Sequence, residues 1–307
     1  MRRRALLTLL AAATVLAASS TVPAASNPAQ TASGTAPAAS SPAPRERSAE
    51  IAALQTALWN RGVYRGDVNG LMTPGTLRAV MRLQSAAGLV PDGVVGPLTR
   101  PLFGRLRGPV LGSRMLRRGL VGADVAELQF LLSVHGFPCA HFDGRMGEHT
   151  VAALRRFQRF AGLPVSGQAG SRTQSALADP PPQAPAGVLD WPVVADVSSY
   201  FGPRGRGFHP GIDLAVGSGT PVKAAAEGEV VFTGPGAGYG LLVEVAHDGG
   251  LTSLYAHLSR IDVVVGERIE TGGQVGLSGA TGKVTGPHLH FELRLRGAAV
   301  DPLPALR

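Results

Sequence analysis

The stretch "TGPHLHFEL", Thr285 to Leu293, alternates two kinds of residue one position at a time. On an extended strand successive side chains point to opposite faces, so His288, His290 and Glu292 share one face and Leu289, Phe291 and Leu293 the other. One face reads as core and the other as chemistry. Around this strand, from Val188 onward, short β-rich runs such as "VVF", "LLVEVA" and "GLTSLYAHL" are divided by glycines. That texture predicts an all-β domain built from hairpins. "GPGAGYG" departs from phosphate-loop patterns and reads as a hairpin turn.

The same segment gathers most of the remaining chemistry. "FHPGIDL" supplies His209 and Asp213, with Pro210 and Gly211 between them breaking any regular helix, and "LYAHL" supplies His257. His247, in "AHDGG", reads as a turn residue. An isolated HxH is often an ordinary strand, and an H-x3-D pair is often a capped turn. Their conjunction in one glycine-punctuated segment points to a metal site. Imidazole and carboxylate together suit zinc, and three protein ligands leave a position open for water. No HExxH helix is present in the sequence, which excludes a helix-based zinc peptidase. Because His288 and His290 sit about 7 Å apart along a strand, both could ligate, or one could stand beside the metal as a base. Glu292 shares their face, either to orient a ligand or in a surface or sheet-edge role, while Tyr200 and Arg204, near the "FGPR" turn, read as turn packing and surface charge in preference to groove lining.

The chain of 307 residues is long enough for two or three domains. It opens "MRRRALLTLLAAATVLAASS", a basic head followed by an apolar run that is short for a bilayer span and then by small residues, the pattern of an export signal over residues 1–24. An Ala/Ser/Pro-rich linker is expected over 25–47. The single cysteine, Cys139, leaves an exported chain without an internal disulfide and reads as a small, partly buried residue. A formal charge of +8, three of it in the arginines of the signal, suits an acidic polymer outside the cell more than nucleic acid.

Between the linker and a second Pro-rich break at 179–187 lies a repeat. Leu54, Gln55, Leu58, Gly62, Gly70, Thr76, Gln84, Gly88, Gly93 and Thr99 superpose without a gap on Leu128, Gln129, Leu132, Gly136, Gly144, Thr150, Gln158, Gly162, Gly167 and Thr173. One unit occurs twice, over 48–104 and 117–178, joined by a linker at 105–116. Apolar residues at helical spacing, such as Ile51, Leu54, Leu58, then Leu77, Val80, Met81 and Leu83 after Thr73-Pro74, predict about three helices per unit, the last short. The paired glutamines either touch a ligand or, the stronger reading, are amides that satisfy loop backbone. Trp59 has no counterpart, since Ser133 stands at its place, and is either core or a sugar-stacking surface. His135, His141 and His149 read as surface or turn residues.

The pattern "ALQTALWNRGVY" with "GTLRAVMRLQSAAGLVPDGVVGPLT", repeated as "ELQFLLSVHGF" with "HTVAALRRFQRFAGLPVSGQAGSRT", resembles the peptidoglycan-binding module family. It departs from that pattern at Leu83, where an aromatic is usual, and at Ser166, which replaces the Asp92 of the first copy. "SSYFGPRGRGFHPGIDLAVGSGTPVKAAAEGEVV", "YAHLS" and "TGKVTGPHLHFELR" resemble the LytM and lysostaphin type of zinc endopeptidase over almost all of 190–303. The resemblance implies an all-β lysostaphin-like peptidase domain over 188–307. It further implies one zinc ion held by His209, Asp213 and His290, with His257 and His288 assisting catalysis without ligating. It implies a secreted, wall-associated hydrolase of peptidoglycan peptides, free of the membrane once the signal is removed. Some relatives of this type have lost ligands and activate other hydrolases, whereas all five positions are filled here. Neither the bond cleaved nor the oligomeric state is implied.

Overall fold

Ser48 and Thr73 start two helices by the same device. Each hydroxyl accepts a backbone N–H of the first turn, from Ile51 at 3.3 Å and from Thr76 at 3.2 Å, and Pro74 occupies a first-turn position where no N–H is needed. These helices open the described part of the chain, residues 47–307 of a computed structural model. The expected export signal, and the linker apart from Arg47, lie outside the described residues. No helix among the described residues is long and apolar enough to cross a membrane.

The first repeat folds as α1 (Ala49–Asn60), α2 (Pro74–Ala86) and a 3-10 segment, Arg100–Arg107. The second folds as α3 (Ala123–Val134), α4 (Glu148–Phe160) and the short α5 (Ser171–Ala176). Each core is small, with Leu58, Val80 and Phe103 in one and Leu128, Leu154 and Phe157 in the other. The paired glutamines compensate. Gln55 is buried and accepts N–H bonds from Asn69 and Gly70 while donating to Leu71 O and Thr76 Oγ1; Gln129 repeats this with Asp143, Gly144, Arg145 O and Thr150 Oγ1. Gln84 and Gln158 do the same for the following loops, and Ser166 Oγ takes the hydrogen bond that Asp92 takes in the first repeat. These amides are therefore structural.

Three expectations need correction. Leu77 is 42% exposed rather than core. His135 is buried, its Nε2 against Leu177 O at 3.2 Å and its ring edge-on to Phe157, because α5 folds back over the end of α3. Cys139 is fully enclosed, and burial pushes its thiol up to about 12, so it is inert.

The C-terminal part consists of β1 (Val197–Ser199), β2 (Gly202–Arg204), β3 (Gly207–His209), β4 (Ile212–Leu214), β5 (Pro221–Lys223), β6 (Gly228–Gly236), β7 (Gly240–Ala246), β8 (Leu251–Leu258), β9 (Arg260–Ile261), β10 (Arg268–Ile269), β11 (Gln274–Leu277), β12 (Leu289–Leu295) and β13 (Ala298–Val300). The main sheet is antiparallel in the order β1-β4-β12-β8-β7-β6-β10, with β13 paired to the end of β12. Smaller sheets are β5-β11-β9 and the β2-β3 hairpin. As the alternation predicts, Leu289, Phe291 and Leu293 enter one core with Ile212, Leu214 and Tyr255.

The described residues belong to one compact unit. α1 packs on α3, and Ala52, Val68, Phe130 and Phe142 form an apolar cluster between the repeats, onto which Phe208 of β3 also packs. Backbone bonds clamp the β2-β3 turn there: Val68 N–H to Gly205 O at 2.9 Å and Phe142 N–H to Arg206 O at 2.7 Å. Asp67 Oδ1 accepts the Gly205 N–H at 2.7 Å. At the far end of β12, Ala299 N–H meets Gly136 O at 3.0 Å; a side chain on Gly136, whose φ is 86°, would run into the β13 backbone.

Candidate functional site

In the β4-β12 pair, His290 lies directly opposite Asp213. Cross-strand neighbours on one face bring their Cβ atoms within about 5 Å, so two residues far apart in sequence meet by register alone. His209, at the end of β3, reaches the same point because Pro210 and Gly211 turn the chain sharply into β4. Gly211 is needed for its lack of a side chain: a Cβ there would collide with Phe291 O of the neighbouring strand.

His209 Nε2 lies 3.1 Å from Asp213 Oδ1 and 3.1 Å from His290 Nδ1, and the latter is 2.9 Å from Asp213 Oδ1. The other ring nitrogens define what these atoms carry. His209 Nδ1 faces Tyr200 O at 2.9 Å, and His290 Nε2 faces Glu292 Oε1 at 3.1 Å; both are acceptors, so each ring spends its N–H outward. With neutral rings, two imidazole lone pairs and a carboxylate oxygen then converge with no proton between them, an arrangement that calls for a cation. Ligand bonds of about 2.0–2.1 Å around a tetrahedral ion separate the ligand atoms by about 3.3–3.4 Å, close to the triangle observed. His209, Asp213 and His290 thus fit a small divalent metal ion.

Electrostatics agrees. Burial works against the charge of Asp213, but hydrogen bonds from His209 and His290 outweigh it and hold the carboxyl well below its usual range. Burial would likewise lower His290, yet Asp213 and Glu292 raise it to about 9, so without a metal ion a proton occupies the place of the cation. Glu292 is completely buried and nevertheless held down to about 2, because His290 and Arg294 outweigh its desolvation. It accepts from Tyr239 Oη at 2.5 Å and from Arg294 Nε at 2.8 Å as well as from His290. Of its two expected roles, the structure supports orientation of His290.

His257, the last residue but one of β8, has φ of 62°, a left-handed conformation costly for a residue with a side chain. Its N–H is held by Tyr239 O and its Nδ1 by Thr281 O, both at 2.9 Å. Burial chiefly lowers its pKa, so the ring is neutral near pH 7. His288 faces it with ring centroids 4.7 Å apart, its Nδ1 turned to Gly286 O at 3.0 Å and its Nε2 3.6 Å from Asp213 Oδ1. Both rings line an open cavity of about 260 Å³ with the three converging residues, Tyr239 and Lys283. The two largest of the other cavities described, one on the second repeat and one beside β6 and β10, contain no such group among the described residues.

All five residues expected at the site are therefore together. Of the two readings of Arg204, the structure favours groove lining over surface charge, since its Nη1 donates to Ser199 Oγ at 3.1 Å and to Asp213 Oδ2 at 3.4 Å. Tyr200 is 65% exposed and contributes its backbone oxygen instead. Tyr239, which packs on His290 and bonds Glu292, went unnoticed because "GPGAGYG" carries only a turn signal.

The model described as "Peptidase family M23" matches residues 207–302, and that described as "Putative peptidoglycan binding domain" matches 47–101 and 121–177. Residues 207–302 thus form a domain of the peptidase M23 type, which follows two domains of the peptidoglycan-binding type. It is 32% identical over 267 residues to the DD-carboxypeptidase/endopeptidase Mpg of Neisseria meningitidis serogroup B, covering 84% of this chain and 60% of that protein. It is 33% identical over 141 residues to the murein hydrolase activator NlpD of Salmonella typhimurium, covering 46% and 37%. The chain thus spans less than two thirds of these relatives. The catalytic domain of lysostaphin from Staphylococcus simulans is 34% identical over 36% of this chain and 90% of that domain, with a TM-score of 0.35.

Proposed function

We propose that the protein is an exported zinc endopeptidase that cleaves peptide stems or cross-bridges of peptidoglycan. The observation that carries this reading is the convergence of three metal-seeking atoms at the floor of an open groove, with two further histidines beside them. His209, Asp213 and His290 would hold zinc, which when bound supplies a Lewis acid and makes water nucleophilic near neutral pH. His257, neutral and with Nδ1 committed to Thr281 O, has Nε2 free to take the proton of the attacking water and return it to the leaving amine. His288, with Nδ1 on Gly286 O, presents Nε2 to the same groove beside the His257 ring. Such assistance is typically worth about 10² to 10⁴ in rate. The two helical domains would hold the enzyme on its polymer by avidity.

Similarity to a hydrolase activator supports a second reading, a peptidase-like protein that stimulates another hydrolase. The complete ligand set favours catalysis. The test measures bound zinc and the new amino and carboxyl ends released from purified wall. Wild type is expected to bind one zinc and cut; His290→Ala to lose both; His257→Ala to keep zinc with activity down about 10² to 10⁴. A wild type that binds no zinc overturns the proposal, and one that binds zinc, cuts nothing and stimulates an added amidase establishes the activator.

A further inference from the structure

A further cavity, of about 390 Å³, lies where the two helical domains meet the β2-β3 hairpin. Trp59 comes from the first domain, Ala140 and His141 from the second, and Arg204, Arg206 and Phe208 from the hairpin. Arg204 and Phe208 also line the catalytic groove, so a chain lying in the groove can continue into the junction.

The junction is cationic and held in shape. The guanidinium of Arg206 lies over the Trp59 ring at 5.5 Å, and Arg65 lies over it at 5.1 Å. The indole N–H of Trp59 donates to Gly66 O at 2.7 Å, which locks the ring that supports Arg206. The Arg206 carbonyl is itself fixed by Phe142 N–H, and the preceding Gly205 by Val68 and Asp67. Among the described residues no carboxylate forms an ion pair with Arg206. A guanidinium pre-positioned without an anion, beside a groove that receives a peptide, is suited to bidentate capture of a carboxylate. The same arrangement explains Trp59, which the repeat pattern does not require.

We propose that this junction is a substrate subsite in which Arg206, supported by Trp59, binds a free carboxylate on the peptide stem beyond the bond being cut. The proposal rests on the endopeptidase reading and adds a specificity that only the assembled domains possess.

The test uses the full chain carrying Trp191→Phe, so that Trp59 is the remaining tryptophan, titrated with a soluble stem peptide in free-carboxylate and amidated forms while emission is read within seconds. The free-acid peptide is expected to give a saturable change in emission. Arg206→Ala and amidation are each expected to weaken binding about tenfold, a charge-assisted hydrogen bond being worth about 1.5 kcal/mol or more. Together they should cost no more than either alone. Arg206→Lys, which keeps the charge and loses the fork, should fall between. Equal binding of the amidated peptide by wild type and Arg206→Ala separates this from a folding defect, which would weaken both peptides. No saturable change with wild type, a loss under about twofold for Arg206→Ala, or losses that multiply would overturn the subsite. Wall cleavage by the same protein tests the enzyme reading separately: cleavage without an Arg206 effect removes only the subsite, and Arg206-dependent binding without cleavage removes only the peptidase.

Discussion

Glu292→Gln changes one atom type at the centre of a buried network, and its consequences can be worked out from the partners. Three donors point at this carboxylate: His290 Nε2–H, Tyr239 Oη–H and the Arg294 guanidinium. An amide offers one acceptor oxygen and an NH2 that would face a donor. At least one of the three bonds becomes donor against donor, inside a site with no water access to Glu292. Removing one partner of a buried ion pair costs about 3–5 kcal/mol, but Arg294 keeps Glu244 at 3.2 Å, so a loss of about 2–3 kcal/mol is expected. The metal site suffers separately. His290 loses the acceptor that turns its N–H outward and raises the basicity of Nδ1, and zinc affinity should fall about 10- to 100-fold. Urea unfolding in the presence of EDTA reads the first effect, and competition with a chromophoric chelator reads the second. A destabilised variant whose zinc affinity stays within about threefold of wild type would refute the orienting role; an unchanged unfolding midpoint would refute the network itself.

Other consequences follow from single contacts. Because Asp213 and Glu292 raise His290 to about 9 against its burial in the metal-free site, zinc must displace its proton below that pH; apparent zinc affinity should rise about tenfold per pH unit from 7 and level off above about 9, as measured by chelator competition. A flat profile would contradict the shared acceptor geometry. Gln129→Ala leaves the buried N–H of Gly144 and the partly buried N–H of Asp143 without an acceptor and should cost about 2–4 kcal/mol in urea unfolding, with the effect in the second helical domain. Gly211→Ala places a methyl group against Phe291 O and 2.9 Å from Glu292 Cγ; it should push β4 off β12 and abolish zinc binding in the chelator assay, whereas Gly217→Ala, which meets nothing, should bind as wild type.

The order of domains, the repeat and the alternating strand were legible because they are local: helical spacing, N-cap residues and period-two alternation act within a few residues of chain. Even the glutamines declared their role, since a buried amide at a repeated position in a unit with so small a core has loop backbone to satisfy. The five site residues were legible as types on a β-rich segment, but the division between those converging on one point and those beside it came from resemblance and not from spacing. Only the sheet places Asp213 opposite His290, because register is a property of two strands and not of either alone. Glu292 carried two possible roles until burial between His290 and Arg294 left one. The role of Tyr239, the Arg204 contact with Asp213 and the His257 backbone conformation were not legible for a related reason: each depends on a partner outside its own stretch of chain, as Tyr239 does on Glu292, Arg204 on Asp213 and His257 on Tyr239 and Thr281. The sequence by itself determined which elements form and which chemistry they carry. The tertiary structure alone decided which atoms meet, and it drew Trp59 and Arg206, from different domains, to one junction, because packing between domains is set by long-range contacts that no local pattern encodes.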